Sequence, residues 1–179
     1  MFASVIEKRR SIRRYQKKAV PPDQIDRLVE AALRSPSSMG SNPWEFIVVT
    51  DPEVLERLSV AKPHGASFLK NAPLCIVVLG DPEKSQVWVE DCAIASIYIH
   101  LAAASMGLGS CWIQIRKRVH DETQSAGAYV AGVLGVPSPL EVESIVAVGY
   151  PDEEKSPHAK ASLQYEKVFK GAYGTPYGS

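Results

Sequence analysis

The sequence carries no excess of charge of either sign, because 20 lysine and arginine residues balance 20 aspartate and glutamate residues in a chain of 179. Such a chain has no overall electric field that would attract nucleic acid or an anionic membrane, so any basic function must be local. It also lacks an apolar run approaching the ~18–20 residues that a membrane span needs. The N-terminal stretch MFASVIEKRRS places its charges after a short apolar run, which is the reverse of a secretory signal.

Cysteine is scarce, and its spacing excludes the short pairs that bind metals or carry out disulfide exchange. Cys75, Cys92 and Cys111 are too far apart for a CxxC motif, and an odd number in apolar surroundings predicts buried free thiols. Free thiols are typical of a reducing compartment, so we expect the protein in the cytoplasm.

Motifs for nucleophilic and metal-dependent catalysis are missing as well. The sequence has no P-loop, no HExxH and no GxSxG, and none of its 4 histidines has a nucleophile at motif spacing. We therefore predict no metal site and no side chain acting as a covalent catalyst. His100 lies in a long apolar segment, where we expect a hydrogen-bonded core histidine. Asp91 in the same segment is expected to cap or orient its neighbours.

What the sequence does contain is a regular succession of helical and strand patterns. Helices are predicted at 2–9, 20–36, 52–61, 87–109 and 121–136, and strands at 44–51, 73–81, 110–115 and 144–151. This order predicts a single α+β sandwich domain spanning residues 1–179. The tail, about 160–179, has aromatic residues without a clear period, and we expect it to pack on a partner subunit.

Five basic residues are concentrated between Lys8 and Arg14, in the run KRRSIRR. The planar guanidinium of arginine matches the geometry of a phosphate, and a serine between arginines adds a short hydroxyl donor. The segment therefore suits one phosphate and a second polar acceptor. A solvated basic turn and a nonspecific nucleic-acid patch are the alternatives that the residues leave open.

Two further segments are rich in glycine or hydroxyl groups. GLGSCW (107–112) is no dinucleotide fingerprint, because it follows a helix, precedes a strand and has Trp112 in place of the third glycine. Gly107 and Gly109 are instead expected as a helix cap and as a point where the backbone closely approaches a flat ligand. SPSSMGSNPW (35–44) favours, taken alone, a plain polar loop in which Trp44 anchors the chain to the core.

The order of these motifs resembles that of the FMN-dependent nitroreductase family. KRRSIRRY, RSPSSMGSNPWEFIVV, NAPLCIVV, GLGSCWI and AVGYPDEEKSP follow one another as in that family, from about residue 4 to 160. The resemblance implies a central mixed, mostly antiparallel sheet flanked by helices in a three-layer α+β sandwich. It also implies a domain-swapped homodimer with FMN at the interface.

The resemblance assigns roles to the basic residues. Arg9, Arg10 and Ser11 correspond to the positions that hold the FMN phosphate, and Arg13 corresponds to the cation that faces the pyrimidine edge of the flavin. A positive charge at that edge stabilises the anionic reduced flavin. Lys160 corresponds to a last basic residue on the phosphate.

The resemblance further implies that a loop of the partner subunit and a strand edge of the same chain border the flavin. The loop contributes Pro36, Ser37, Ser38 and Asn42, and the strand contributes Gly109, Ile113 and Gln114. Asn42 stands where the family often has glutamine and is one methylene shorter. A backbone N–H of the strand segment would reach flavin N5.

The implied activity is that of an NAD(P)H-dependent FMN oxidoreductase. NADH or NADPH would deliver hydride to flavin N5, and a small nitroaromatic or quinone-type acceptor would then take the electrons in a ping-pong sequence. Alternatives are a flavin-binding carrier or sensor without turnover, and a specialised enzyme of dehalogenase or flavin-fragmenting type. Arg116, Lys117 and Arg118 are interpreted as a solvated run of charge, with binding of the phosphates of a nicotinamide donor as the second interpretation. No nucleic-acid or membrane partner is expected.

Overall fold

The structure is a computed structural model that describes residues 2–178. Met1 and Ser179, which end the predicted domain and the predicted tail, lie outside the described residues. No helix among the described residues is both long and apolar enough to cross a membrane.

A four-stranded antiparallel sheet in the order β1-β2-β4-β3 forms the centre of the fold. The strands are β1 Trp44–Val49, β2 Leu74–Gly80, β3 Gly109–Gln114 and β4 Glu141–Gly149, and the helices are α1 Phe2–Lys8, α2 Pro22–Leu33, α3 Pro52–Ser59, α4 Trp88–Ser105 and α5 Ala126–Leu134. Short 3₁₀ turns occur at Ser38–Gly40, Ser67–Asn71, Lys160–Ser162 and Tyr165–Lys167. A parallel bridge joins Ser11, which precedes the strands, to Ser110 of β3. The expected α+β fold with a mostly antiparallel sheet is confirmed.

Two separate apolar cores lie on the two faces of the sheet. The alternation of β2 sends Ile76 into one core and Val77 into the other, and every residue of this central strand is buried. The first core packs α2 and α4 against the sheet, while α3 and α5 fill the second core. This arrangement is the three-layer sandwich that the resemblance implied.

The long helix α4 is buried along one side but carries exposed apolar side chains on another. Ile99 is fully buried, whereas Ile94, Ile97 and Tyr98 are each more than a third exposed. The helix is therefore not buried on all sides within one chain, because these three side chains project from the outer surface of the sandwich. They form an apolar strip, which is the name we use for Ile94, Ile97 and Tyr98 below.

Helix α4 ends in a hydrogen-bonded glycine cap. Gly107 has φ +75°, and the N–H of Leu108 donates to the carbonyl of Ala103 at 2.9 Å. A left-handed residue here satisfies carbonyl groups that the last helical turn leaves without partners. The predicted cap at Gly107 is confirmed, and it turns the chain directly into β3.

Several predicted boundaries differ from the structure, among them the end of α4 at Ser105, and two of the differences have a clear physical cause. Helix α5 starts at Ala126 and not at residue 121, because the Asp121 carboxylate accepts the N–H groups of Thr123 and Gln124 and holds a turn there. Ser125 then caps the helix by accepting from Ala128 N. Strand β4 starts three residues earlier than predicted, at Glu141, because pairing with β2 continues past a bulge.

The chain beyond β4 is largely exposed. Leu163, Tyr165 and Val168 lie on its surface, and the rings of Phe169 and Tyr173 contact each other with centroids 4.6 Å apart. The tail therefore exposes several apolar side chains in the single chain.

Candidate functional site

The basic segment, residues 9–16, lies beside the start of β3. The N–H of Ile12 donates to the carbonyl of Ser110 at 3.0 Å, and the N–H of Gln16 donates to the carbonyl of Tyr150 at 2.9 Å. The segment is thereby held between the edge strand of the sheet and the chain that leaves β4. Its extended backbone gives each arginine a defined position.

Two buried side chains anchor this segment. Ile12 packs against Gly109 so closely that a Cβ atom at Gly109 would lie 2.8 Å from the Ile12 Cβ. Tyr15 is buried and donates its hydroxyl to the Ile12 carbonyl at 2.6 Å. Burial raises the pKa of Tyr15, so the hydroxyl stays protonated and remains a donor. Within the chain, the close approach at Gly109 is made by the Ile12 side chain.

The chain after β4 fixes the basic segment from its other side. Glu153 Oε1 accepts from the N–H of Arg13 at 2.5 Å and from the N–H of Arg14 at 3.2 Å. The first of these bonds is the main cause that lowers the pKa of Glu153, so the carboxylate is ionised at neutral pH. Lys155 Nζ donates to the Ser11 carbonyl at 2.7 Å and lies 3.2 Å from Glu153. Arg10 also donates to the carbonyl of Ser156.

These contacts border a cavity of about 360 Å³, which we call the cationic cavity. It is lined by α1, the end of α4, the start of β3 and the chain after β4, with the charged residues Lys8, Arg9, Arg10, Lys155, Glu153 and Glu154. Four cations against two carboxylates give it a positive balance, and guanidinium groups suit a phosphate. The cavity can hold a small anion.

The structure separates the basic residues that the sequence grouped together. Arg9, Arg10 and Gly109 line the cationic cavity. The Ser11 carbonyl bonds to Lys155, while the Arg13 guanidinium lies 5.9 Å from the Phe68 ring and borders a second cavity of about 630 Å³. This placement is consistent with two roles, one for the arginines of the cationic cavity and another for Arg13.

The other predicted residues on and beyond β3 are placed as follows. Ile113 is buried in the core on the α5 side of the sheet. The Gln114 side chain accepts from Trp112 Nε1 at 2.9 Å and donates to the Arg116 carbonyl at 3.0 Å. Lys160 starts an exposed 3₁₀ turn and is not among the residues that line the cationic cavity.

Lys155 lines the cationic cavity and was not predicted from the sequence, which indicated Lys160 as the last basic residue of the site. The sequence signal for it was its position in the motif AVGYPDEEKSP, directly after three acidic residues. Its contact with Ser11 joins residues 144 positions apart and cannot be inferred from spacing.

The three basic residues from Arg116 to Arg118 also differ in their surroundings. The Arg116 guanidinium lies 5.4 Å from the centre of the Trp88 ring, whereas Lys117 and Arg118 are exposed. The interpretation as a solvated run of charge therefore holds for Lys117 and Arg118 but not for Arg116.

The polar loop 36–42 is closed by its own side chains. The Ser37 hydroxyl donates to Asn42 Oδ1 at 2.7 Å and accepts from the Asn42 N–H at 2.9 Å. Pro36 and Ser38 are exposed, and the Ser38 N–H donates to Asp91 Oδ1 at 2.8 Å. The Asp91 carboxylate also accepts from the Ser85 hydroxyl at 3.2 Å. The expected orienting role of Asp91 is confirmed, and the group it orients is this loop.

The loop and the cationic cavity lie at opposite ends of α4. Asp91 in the first turn holds the loop, and Ala104 near the last turn lines the cavity. An α-helix rises about 1.5 Å per residue, so these two positions are roughly 20 Å apart. A single chain therefore does not bring Ser37 and Ser38 to a ligand held by Arg9.

The architecture now described can be compared with known proteins. The model of the Nitroreductase family matches residues 6–62 and 59–150. The solved structure of an FMN-dependent nitroreductase from Clostridium difficile R20291 superposes with a TM-score of 0.94 at 46% identity, covering 96% of this chain and 99% of that chain.

Two archaeal relatives carry the name "Putative NADH dehydrogenase/NAD(P)H nitroreductase". The protein from Archaeoglobus fulgidus is 39% identical over 84% of this chain and 86% of its own length. The one from Methanothermobacter thermautotrophicus is 38% identical over 83% of this chain and 76% of its own length. The chain belongs to the nitroreductase family.

Proposed function

We propose that this protein is an FMN-dependent oxidoreductase that transfers hydride from NADH or NADPH to a small oxidised acceptor of nitroaromatic or quinone type. The observation that carries the proposal is the cationic cavity beside β3, in which Arg9 and Arg10 face an anion-sized space. FMN, when bound, supplies the redox chemistry by accepting hydride from the nicotinamide and passing electrons to the acceptor in ping-pong order. The chain itself binds, orients and excludes water.

The residues present fit the phosphate of FMN. Lys8, Arg9, Arg10 and Lys155 surround the space. Ser11, whose carbonyl accepts from Lys155, is proposed to offer its hydroxyl to a phosphate oxygen, as the family motif implies. Arg13 is assigned to the pyrimidine edge of the flavin, where its charge favours the reduced state. Lys160 is kept as a phosphate contact only for the assembled dimer, since it is exposed in the single chain.

The proposal includes a homodimer with FMN between the subunits. The loop 36–42 and the cationic cavity lie at opposite ends of α4, so a two-fold axis across this helix would bring the loop of one subunit to the cavity of the other. The apolar strip on α4 supports the same contact, because Ile97 is 43% exposed and would lose that exposure there. The tail 160–179 would cover part of the partner. Gly109, Ile113 and Gln114 are proposed to border the flavin ring along β3.

A cytoplasmic location is part of the proposal. Cys75, Cys92 and Cys111 are all free and buried, and burial raises the pKa of each thiol, so that none is poised to form a disulfide. These properties suit a reducing compartment.

The proposal is tested by an absorbance spectrum of the purified protein, followed by anaerobic addition of NADH and, in a second cuvette, NADPH. Flavin bands near ~450 nm that bleach with either donor are the expected result for a flavin-dependent reductase. Bands that persist with both donors would instead support a carrier or sensor. A protein that shows no flavin bands even after FMN is added back would contradict the proposal.

A further inference from the structure

A buried histidine that the proposed function does not use contacts the start of β3. His100 of α4 is 5% exposed, and its Nδ1 atom lies 2.7 Å from the Ser110 hydroxyl oxygen. Ser110 is 2% exposed and is among the residues that line the cationic cavity. The pair therefore connects the interior of the sandwich with the wall of the anion site.

The chemistry of the pair depends on which atom carries the shared proton. A serine hydroxyl has one hydrogen, and a neutral imidazole has one N–H that sits on either ring nitrogen. If Ser110 donates to His100, the Ser110 hydroxyl offers no proton to a ligand. If Nδ1–H donates to the Ser110 oxygen, the hydroxyl hydrogen is free for an acceptor in the cavity.

The environment keeps His100 neutral. Burial and the nearby charge of Arg9 lower the pKa of His100 to about 4, so at neutral pH the ring holds a single proton. A neutral ring adds no charge beside the arginines, and its two tautomers hold the same number of protons.

We infer that Ser110 is a hydroxyl ligand of the phosphate group of FMN, and that His100 is the residue that positions it by donating Nδ1–H to its oxygen. A phosphate only accepts hydrogen bonds at the oxygens it presents to the protein, so its binding selects the tautomer that releases the Ser110 hydroxyl hydrogen. The inference rests on the proposed function, because it names the phosphate of the same cofactor.

The decisive comparison is between FMN and riboflavin, which share the flavin ring but differ in the phosphate. The variant Ser110→Ala should weaken FMN binding by about tenfold or more, the usual effect of losing a hydrogen bond to a charged group. Its riboflavin affinity should stay at the wild-type value. Both dissociation constants are measured by flavin fluorescence on the full-length apoprotein.

Ser96→Ala is the matched control. Ser96 lies one turn before His100 on α4, is fully buried, and donates its hydroxyl to the Cys92 carbonyl at 2.9 Å. This variant also removes one buried serine hydroxyl, but at a distance from the cavity, so the ratio of the two affinities should be unchanged.

His100 is tested with two substitutions. His100→Leu removes the donor and should lower FMN affinity as Ser110→Ala does, whereas His100→Asn retains an amide N–H near the position of Nδ1 and should restore part of the affinity. In the double variant with Ser110→Ala, His100→Leu should cause no further loss, because it acts through the serine. Long-range ¹H–¹⁵N NMR spectra should show Nδ1 protonated in the FMN complex.

The outcomes separate this inference from the proposed function. A wild-type protein that binds neither flavin overturns the proposed function and this inference with it. Wild-type binding of FMN together with equal losses for FMN and riboflavin in Ser110→Ala overturns the inference alone. Additive effects of the two substitutions, or an unprotonated Nδ1 in the complex, would overturn the positioning role of His100.

Discussion

The backbone N–H of Ser38 donates to the carboxylate of Asp91, and through this bond the first turn of α4 determines where the polar loop 36–42 lies. A loop with three positive-φ residues, Met39, Gly40 and Asn42, depends on such outside contacts to keep one conformation. Asp91 is buried, so no water molecule replaces the missing acceptor freely when the carboxylate is removed.

Asp91→Ala is therefore expected to lower the free energy of unfolding by about 1–3 kcal/mol, the usual range for leaving a buried donor without its acceptor. The loop should also become more sensitive to limited proteolysis. Asp91→Asn keeps one oxygen and should show a smaller effect. The control is Glu90→Ala, at the exposed neighbouring position. Equal stability of the Asp91→Ala and Glu90→Ala variants in denaturant titrations would show that the anchor is unimportant.

Arg9→Ala should weaken FMN binding by roughly tenfold or more, because it removes a charge-assisted donor from the cationic cavity. The purified variant should lose its flavin on desalting. Arg14→Ala is the matched control, since Arg14 belongs to the same segment but its side chain forms an exposed ion pair with Asp152 at 3.8 Å and does not line the cationic cavity. Flavin occupancy that survives desalting equally in both variants would remove Arg9 from the phosphate site.

Ile97→Glu places a charge in the apolar strip of α4. In the proposed dimer this charge would be buried without a partner, so the variant should sediment as a monomer and lose flavin, with association weakened by at least about tenfold. Val60→Glu is the control, because Val60 is exposed at the end of α3 and lies on the other side of the sheet. A flavin-loaded dimer formed by Ile97→Glu at wild-type strength would exclude this face as the interface.

Gly109→Ala tests the fit between β3 and the basic segment. The added Cβ would lie 2.8 Å from Ile12 and must push that side chain aside, which should cost about 1–3 kcal/mol of unfolding free energy and weaken FMN binding. Gly132→Ala is the comparison, because a Cβ there meets nothing within 4 Å. In the middle of α5 that change should stabilise the protein by about 0.5–1 kcal/mol. Equal effects of the two substitutions would rule out the close contact.

Glu143 provides a prediction about pH. It is 2% exposed, Oε2 has no hydrogen-bond partner among residues 2–178, and burial raises the pKa of Glu143 above its ordinary 4.5. As pH rises past the ordinary value, the unfolded chain loses this proton before the folded one, so wild-type stability falls until the raised pKa is passed.

Glu143→Gln has no proton to lose and should be more stable than wild type at pH 7, with the difference disappearing below about pH 4. Thermal unfolding over this pH range measures it. Glu141→Gln, exposed on the same strand, should show little change. A difference between Glu143→Gln and wild type that is independent of pH would mean that the carboxylate is already ionised without cost in the folded protein.

Periodicity and turn residues were sufficient to predict all four strands and five helices, since each has a regular apolar pattern and a glycine, proline or polar boundary. Two of the boundary errors come from a side chain that binds the backbone and from a β-bulge. Asp121 delays α5 by holding a turn, and the bulge at β4 leaves Glu143 between two paired residues. Neither a local turn nor a register shift is visible in a pattern of apolar residues.

The candidate site was predictable in residue type but not in arrangement. The arginines, serine and loop of the family motifs identified what kind of ligand to expect. The spacing along the chain contained no information that Lys155 reaches Ser11, or that His100 reaches Ser110 across the layers. Those contacts depend on how α4, β3 and the chain after β4 come together in three dimensions.

The length of α4 has a genetic consequence for the proposed dimer. Each of its two flavin sites would take its arginines from one subunit and its loop from the other, so a change at Arg9 and a change at Ser37 would damage opposite halves of a site. In a heterodimer of one chain changed at Arg9 and one changed at Ser37, one site would contain both substitutions. The other site would contain neither. Two inactive alleles expressed in the same cell should therefore complement each other, to at most about half of the normal activity per mixed dimer.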